Sequence, residues 1–523
     1  MKEEKNDFKK LITSGTILFM VLSMTSTLFA EKGFHLLTTI SGEKDGDFFC
    51  TVKNVGDVNG DGYNDLLVGA REASYAKLYF GGADFDTIAD LTMRIQRHYD
   101  YFGNTLASGD LNGDGFSDFA IGAPYFDEYY RCGKIFIYFG GANVDSIPDI
   151  EIEGYGYWHG MGFSIVCNCD VNGDGYHDLL TSSGQYPRKT YIYFGGSVMN
   201  NIPDVCLTGK DSIICNIGGP SGIGDINNDG YDDFFVTVTS DVGLPNYLPG
   251  TGNYLIYGGE SISLENSVLF MIDSTFGSPL TKRGVGDLNN DGYNDFCFGY
   301  SDNIVFYSGL TLLPVQHIKR IDGEGHYISF SNESFDINKD NHNDFIYTYA
   351  SLETEWHGNL ALYLGSKTLD SIPDYEISQG PNDIGFGWSC SFLGDINNDG
   401  LPEIAVGAQG GAGRVYIYSF GDFSDKIDEN KTIKPDEYSL LKVYPNPFNN
   451  STTIEYYLSE QAFVSIEVYD LYGREVAQLL KGIRPLGVNR VFFDGDRLVS
   501  GIYFCRLKIN NIQVENTKIL LMK

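Results

Sequence analysis

The chain is 523 residues long and carries 70 acidic side chains against 36 basic ones, a formal charge of −34 with a pI near 4.4. A field of that sign repels phosphate backbones and anionic membrane surfaces, which argues against nucleic acid or lipid as a partner. Nine cysteines fall at irregular intervals, mostly within predicted strands, so they read as buried thiols and not as a disulfide framework.

Residues 1–30 have the form of a secretory signal peptide. Lys2, Lys5, Lys9 and Lys10 precede an apolar stretch from Leu11 through Met24, and small or polar residues lead to a cleavage point after Ala30. A membrane anchor is the competing reading, opposed by Thr13, Ser14, Gly15 and Thr16, which interrupt the stretch. With the signal removed, no membrane-spanning segment is expected. Next comes Phe34–Gly42, a strand-like segment with no partner before it.

From Asp57 onward a nine-residue pattern, Asp-x-Asn-x-Asp-Gly-x-x-Asp with small variations, occurs seven times, starting at Asp57, Asp110, Asp170, Asp225, Asp287, Asp336 and Asp395. The spacing averages about 56 residues, the length of a four-stranded propeller blade with its loops. A hard divalent cation such as calcium takes six to eight oxygens, which alternate residues of a short loop can deliver. Positions 1, 3, 5 and 9 would give side-chain oxygens and position 7 its backbone carbonyl.

The first loop supplies Asp57, Asn59, Asp61, Tyr63 and Asp65, the second Asp110, Asn112, Asp114, Phe116 and Asp118, the third Asp170, Asn172, Asp174, Tyr176 and Asp178. The fourth has Asp225, Asn227, Asp229, Tyr231 and Asp233, and the fifth Asp287, Asn289, Asp291, Tyr293 and Asp295. Both carry Asn at position 4, where the first three have Gly. In the sixth, Asp336, Asn338, Asp340, His342 and Asp344 remain while Asn341 replaces the turn glycine; asparagine tolerates the left-handed conformation, so the site is weakened and not lost. The seventh ends on a longer arm, with Asp395, Asn397, Asp399, Leu401 and Glu403. His177 and His342 fall inside loops without side-chain ligand positions and read as solvated.

Asp, Asn and Gly also make ordinary turns. Carboxylates at fixed offsets in all seven copies exceed what a turn needs, and three of them in one loop would repel each other without a cation. The loops hold 21 of the acids, so up to seven calcium ions would offset 14 charges and leave about −20.

Around each loop a strand pattern repeats. Leu66–Ala70, Phe119–Ala123, Phe234–Val238 and Ile404–Ala408 follow the loops, and third strands run toward glycines, as in Lys77–Gly82, Lys134–Gly141, Thr190–Gly196 and Tyr254–Gly259. A fourth segment is often introduced by Ile-Pro-Asp, as at Ile147, Ile202 and Ile372. The seventh unit stops after its third strand, Arg414–Phe420, so Phe34–Gly42 is expected to complete it and close the ring without an exposed edge. The expected fold is all-β: a seven-bladed β-propeller over residues 31–423, closed by the N-terminal strand, then a linker at 424–438 and a small β-sandwich at 439–523.

Phe102-Gly103, Gly122-Ala123-Pro124 and the loop between them resemble the FG-GAP repeat of integrin α-chain propellers, with partial copies at Gly69-Ala70 and Gly407-Ala408. The resemblance implies a propeller with calcium in the first hairpin of each blade. Tyr444-Pro445-Asn446-Pro447-Phe448-Asn449, the run from Val468 to Val476 and Ser500-Gly501-Ile502-Tyr503-Phe504 resemble the C-terminal sorting domain of type IX secretion cargo. That similarity implies the type IX machinery as a partner and a secreted or outer-membrane surface location. A plain immunoglobulin-like module is the bland alternative.

No metalloprotease, nucleophile-elbow or phosphate-loop motif occurs, and no segment is left over for a catalytic domain. In an up-and-down blade the metal hairpins stiffen one face and leave the opposite one free to vary. That opposite face is expected to carry Tyr125, Tyr129, Tyr130, Trp158, Tyr247, Trp356 and Trp388, aromatics suited to a glycan or protein ligand and equally to ordinary packing. The function expected is therefore a binding or adhesion module with no catalytic residues. A polysaccharide lyase or glycosidase using Asp127, Glu128, Glu353 or Glu355 is the alternative, and a surface-layer component without a discrete ligand is a third.

Overall fold

The computed structural model describes residues 33–421 and 442–523, apart from short segments of which 241–250 and 271–280 are the longest; the expected signal peptide and linker lie outside the described residues. The described chain is all-β apart from one 3-10 turn, Leu264–Asn266, and among the described residues no helix is long and apolar enough to cross a membrane. Two compact units separate, Phe34–Phe420 and one that contains Gly421–Lys523.

The larger unit is built from antiparallel sheets of four strands, an arrangement consistent with a propeller. In the first sheet Phe49–Gly56, Asp65–Ala70, Tyr75–Tyr79 and Leu91–Arg94 pair in chain order, and the five sheets that follow repeat that meander. The last sheet is assembled differently. Ser389–Gly394, Glu403–Ala408 and Arg414–Gly421 supply three strands, and Gly33–Ser41 lies beside Arg414–Gly421 as the fourth. Phe34 packs against Phe420 at a tilt and meets Tyr418 edge-on, with ring centroids 5.0 and 6.5 Å apart.

The second strand of each sheet is buried on both faces, which explains why Asp65–Ala70 and Asp118–Ala123 show no polar alternation. Leu66 and Val68 point into a cluster shared with Leu393, Ala405 and Ile417 of the last sheet, while Leu67 points into one shared with Leu106, Phe119 and Ile121 of the second. Ala120 then faces the third sheet, beside Ile165 and Leu179. Layers of this kind lie between each successive pair of the first six sheets and between the last sheet and the first.

Two devices let the sheets approach. Glycines mark the closest contacts: a Cβ on Gly69 would lie 2.1 Å from the Gly103 carbonyl oxygen, and one on Gly122 would lie 2.4 Å from that of Gly162. This explains the Phe-Gly and Gly-Ala-Pro pieces of the repeat, since Phe102 is buried against Phe136 while Gly103, at φ +87°, donates its N–H to the Gly122 carbonyl. Hydroxyls then bridge innermost strands to neighbouring main chains. Thr105 donates to Phe163 O, Ser164 to Pro220 O, and Ser389 of the last sheet to Cys50 O of the first, with Val52 N and Asn54 N donating back to Ser389 and Ser391.

The C-terminal unit pairs Lys442–Tyr444, Ser451–Leu458 and Gly487–Asp494 in one sheet and Glu475–Arg484, Ala462–Tyr469, Gly501–Ile509 and Ile512–Leu521 in another. Ile454, Tyr456, Val464, Ile466, Val468, Cys505 and Leu507 fill the core between them. Asn446 ties its motif to the last strand, donating to Lys518 O and accepting from Leu520 N, and Phe448 packs on Phe493. Glu475–Arg484 was not anticipated as a strand; a bulge skips Leu479 between the pairs Ile466–Leu480 and Glu467–Gln478 and breaks the alternation that would have revealed it.

Gly69→Ala should cost about 1–3 kcal/mol because the added methyl collides with backbone that cannot yield. Urea unfolding of the purified variant measures this, and a midpoint equal to the parent's would show that the sheets have room to spare.

Candidate functional site

The described loops share one internal hydrogen-bond pattern, written here for the first. The Asp57 carboxylate accepts the N–H groups of Gly60, Asp61 and Gly62 at 2.7, 3.1 and 2.8 Å. Asn59 Oδ1 accepts from Asp61 N, its amide donates to Asp61 Oδ2 at 2.9 Å, and Asp61 Oδ1 accepts from Tyr63 N. Gly62 sits at φ +92°, and position 4 is left-handed in every copy, through Gly60, Gly113, Gly173, Asn228, Asn290, Lys339 and Asn398.

Position 9 is the buried end of each loop. Asp65 is fully enclosed and accepts from Val58 N and Gly81 N, both at 2.8 Å; Asp118, Asp178, Asp233, Asp295 and Asp344 repeat the same pair of bonds. Glu403 differs, spending its extra methylene to reach Ile396 N at 3.0 Å and the Ser419 hydroxyl at 2.6 Å. Burial, reinforced by the carboxylates at positions 5 and 1, pushes the six position-9 aspartates up to about 7 despite their amide bonds, and burial pushes Glu403 to about 8.

This donor set fits a hard, oxygen-seeking divalent cation. Each loop offers three carboxylates, an amide oxygen and the position-7 carbonyl within nine residues, and each carboxylate oxygen that accepts one amide keeps a second lone pair. A cation would also relieve the repulsion that burial imposes on position 9. Among the described residues no three Asp, Glu, His or Cys side chains are clustered as a metal site by themselves.

Neighbouring loops are also bonded to each other, which spacing alone did not reveal. Asp57 O accepts from Ser117 N of the second loop, Asp110 O from His177 N of the third, Asp170 O from Asp232 N of the fourth and Asp287 O from Asn343 N of the sixth, at 2.9 to 3.0 Å. The fourth loop reaches the fifth through Asn294 Nδ2 to Asp225 O and Asn228 Nδ2 to Gly292 O. Position 4 is therefore a contact: a Cβ on Gly60 would strike the ring of Phe116, one on Gly113 that of Tyr176 and one on Gly173 that of Tyr231, whereas Asn228 bonds across instead. His177 is not solvated as expected, since its Nδ1 accepts the N–H of Asp110 at 2.9 Å. His342 is half-buried, 3.2 Å from Asp340 Oδ1.

The opposite ends of the strands carry the aromatics. Tyr129, Tyr247 and Trp356 lie outside the described residues, as do Glu128, Glu353 and Glu355. Tyr125, Tyr130 and Trp158 are brought together with Tyr155, Tyr157 and Phe163, which the sequence reading did not single out as ligand residues. Tyr130, Tyr155, Tyr157, Trp158 and Phe163 are exposed. Arg131 stacks over Trp158 at 4.4 Å and Tyr125 at 5.2 Å, and Tyr157 meets Tyr130 and Trp158 edge-on at 6.5 and 6.0 Å. Main-chain bonds from Trp158 N to Tyr130 O and from Gly160 N to Arg131 O stitch the two loops, and Asp127, Arg131 and Trp158 are all held at positive φ. Trp388 belongs to a separate site, half-buried under Arg71 at 4.8 Å.

Comparison with known proteins agrees with this geometry. Residues 54–84, 102–138, 163–198 and 386–418 match the FG-GAP repeat, and residues 442–522 match the secretion system C-terminal sorting domain. Integrin alpha-5 of Xenopus laevis is 33% identical over 215 residues, 37% of this chain and 20% of its own length. Integrin alpha-7 of Rattus norvegicus is 37% identical over 180 residues, 32% of this chain and 15% of its own, and integrin alpha-4 of Xenopus laevis 27% identical over 266, 46% and 25%. The chain thus carries integrin-α-like FG-GAP repeats followed by a type IX sorting domain, and its similarity spans no more than about a quarter of the curated relatives' length. These features point to a secreted or cell-surface protein.

The position-9 carboxyls make a signed prediction for protein held in chelator. A carboxyl whose folded value is raised is protonated in the fold while the unfolded chain is not, so stability is present at low pH and lost as pH rises from about 4 toward 7. Chelated protein should melt higher at pH 5.5 than at pH 8, read by differential scanning fluorimetry; the reverse order would mean that these carboxyls ionise freely.

Proposed function

We propose that this chain is an exported seven-bladed FG-GAP propeller, closed by its N-terminal strand, that binds calcium at its hairpin loops and uses the opposite face to hold an extracellular glycan or protein. The pairing of Gly33–Ser41 with Arg414–Gly421 supports the closed ring. The stitched aromatic surface around Trp158 carries the binding reading. Exposing five aromatic rings and holding three non-glycine residues at positive φ costs stability, and such strain persists where binding requires a preset shape. Calcium is then scaffold, not reactant. Of the four candidate acids of the enzymatic alternative only Asp127 is described, so the binding reading rests on the aromatic surface.

At free calcium ten times the dissociation constant each independent site should stabilise the fold by about 1.4 kcal/mol. Millimolar calcium should raise the melting temperature well above that in chelator, and Asp61→Ala should lower the ion stoichiometry by one in calorimetric titration. Equal melts in calcium and chelator would remove the metal reading.

Retention of the secreted protein on immobilised polysaccharides and matrix proteins tests the ligand reading. Trp158→Ala should weaken capture by about 2 kcal/mol, roughly 30-fold. Undiminished capture by that variant would place the ligand elsewhere, and release of new reducing ends or unsaturated sugars would turn the reading to an enzyme.

A further inference from the structure

Position 8 of each acidic loop lies between two positions read as ligands, yet its bonds run to the loop before it. His177 of the third loop grips Asp110, the first residue of the second, by both main-chain groups: the His177 N–H donates to Asp110 O at 3.0 Å, and Nδ1 accepts the Asp110 N–H at 2.9 Å. Asp232 of the fourth loop repeats the grip on Asp170 of the third, through its own N–H and Oδ2, with both bonds at 2.9 Å. Other copies keep part of it. Ser117 N donates to Asp57 O and Asn294 Nδ2 to Asp225 O, while Asn64 Nδ2 of the first loop donates to Leu393 O, two residues ahead of Asp395. The residue before position 1 clears space for these side chains. A Cβ on Gly56, Gly109, Gly224 or Gly394 would stand 2.2, 2.8, 2.9 or 2.9 Å from Ser117 Oγ, His177 Nδ1, Asn294 Nδ2 or Asn64 Nδ2 respectively.

A second connection runs through the buried ends of the loops. The Asp118 carboxylate accepts from Gly140 N, the following N–H, that of Gly141, donates to Val58 O, and Val58 N donates to the carboxylate of Asp65. The same relay joins Asp178 to Asp118 through Gly195, Gly196 and Leu111, and Asp233 to Asp178 through Gly258, Gly259 and Val171. Gly81, Gly82 and Ile396 join Asp65 to Glu403. Both residues that open a loop are therefore held from the following sheet, next to the residues that close the following loop. Ordering a loop around a cation restricts its neighbours, so the neighbouring site is filled at a smaller ordering cost, and such coupling is reciprocal.

We propose that the position-8 residues, His177 foremost, are positioning residues for the cation site of the preceding loop, and that through them and the buried relay the seventh, first, second, third and fourth loops take up calcium cooperatively. This rests on the calcium reading of the loops and makes each site depend on a residue outside it. Asn64, Asn294 and Asn343 show that asparagine is accommodated at position 8.

The test is equilibrium dialysis of the full chain with radiolabelled calcium. His177→Ala should leave the number of bound ions unchanged and weaken the second loop's ion by about 5-fold or more. His177→Asn, which keeps an acceptor where Nδ1 stands, should restore the parent isotherm. In an Asp114→Ala background, whose second loop lacks a ligand, His177→Ala should have no further effect. A second comparison leaves position 8 intact and uses exposed ligands only. The rise in melting temperature from chelator to millimolar calcium is measured for Asp114→Ala, Asp174→Ala and Asp291→Ala, singly and in pairs. Losses should fall short of the sum for the adjacent pair, 114 with 174, and add for the separated pair, 114 with 291. A His177→Ala isotherm superimposable on the parent's, an equal loss in the Asp114→Ala background, or additive losses in both pairs would overturn the coupling and leave the calcium reading standing. Absence of calcium binding by the parent would overturn both.

Discussion

Close approach of neighbouring sheets is the constraint on which the larger unit depends. Each sheet is only four strands wide and must bury both faces, so its stability resides between sheets and not within them. Glycine at positions such as 69 and 122 removes the side chain where a neighbour's carbonyl arrives, and serine or threonine converts the next carbonyl into a hydrogen-bond acceptor. Apolar alternation supplies the rest, sending Leu66 and Leu67 to opposite neighbours.

The acidic loops extend the same logic to one end of the strands. Their carboxylates are organised first by main-chain N–H groups, which turn each loop into a cradle, and the cradles are then bonded to one another through position 8 and packed through position 4. A perturbation at one loop is therefore felt by the next. The aromatic surface at the other end is organised by different means, a stacked arginine and strained main chain, so the two ends can serve different purposes in one scaffold.

Much of this was legible in the chain. The seven Asp-x-Asn-x-Asp copies located the loops, and the strands after them begin within a residue of the expected positions, as at Leu66, Phe119, Phe234 and Ile404. The unpaired strand at Phe34 and the short last unit at Arg414 pointed to one another for a simple reason: both ends of the repeat array lacked a partner. What sequence could not convey was lateral contact. His177 reads as one more loop residue until its ring is seen bonded to Asp110, and Tyr155 and Tyr157 gain meaning only because the loop carrying them is stitched to Tyr130 and Arg131. Contacts between residues about 55 apart leave no local period, and a bulge such as that at Leu479 erases the period that does exist.

The pairing of Gly33–Ser41 with Arg414–Gly421 has a kinetic side. The last sheet draws strands from opposite ends of the larger unit, so its final ladder forms only after nearly the whole of that unit has been synthesised. Until then the outward edge of Arg414–Gly421 is a template for any strand at hand, including one from a second chain. Contacts of such sequence separation are slow to find. The rate at which this molecule matures should thus be governed by a single late encounter, and a chain shortened at its first strand would be vulnerable to self-association long before its remaining sheets lost their packing.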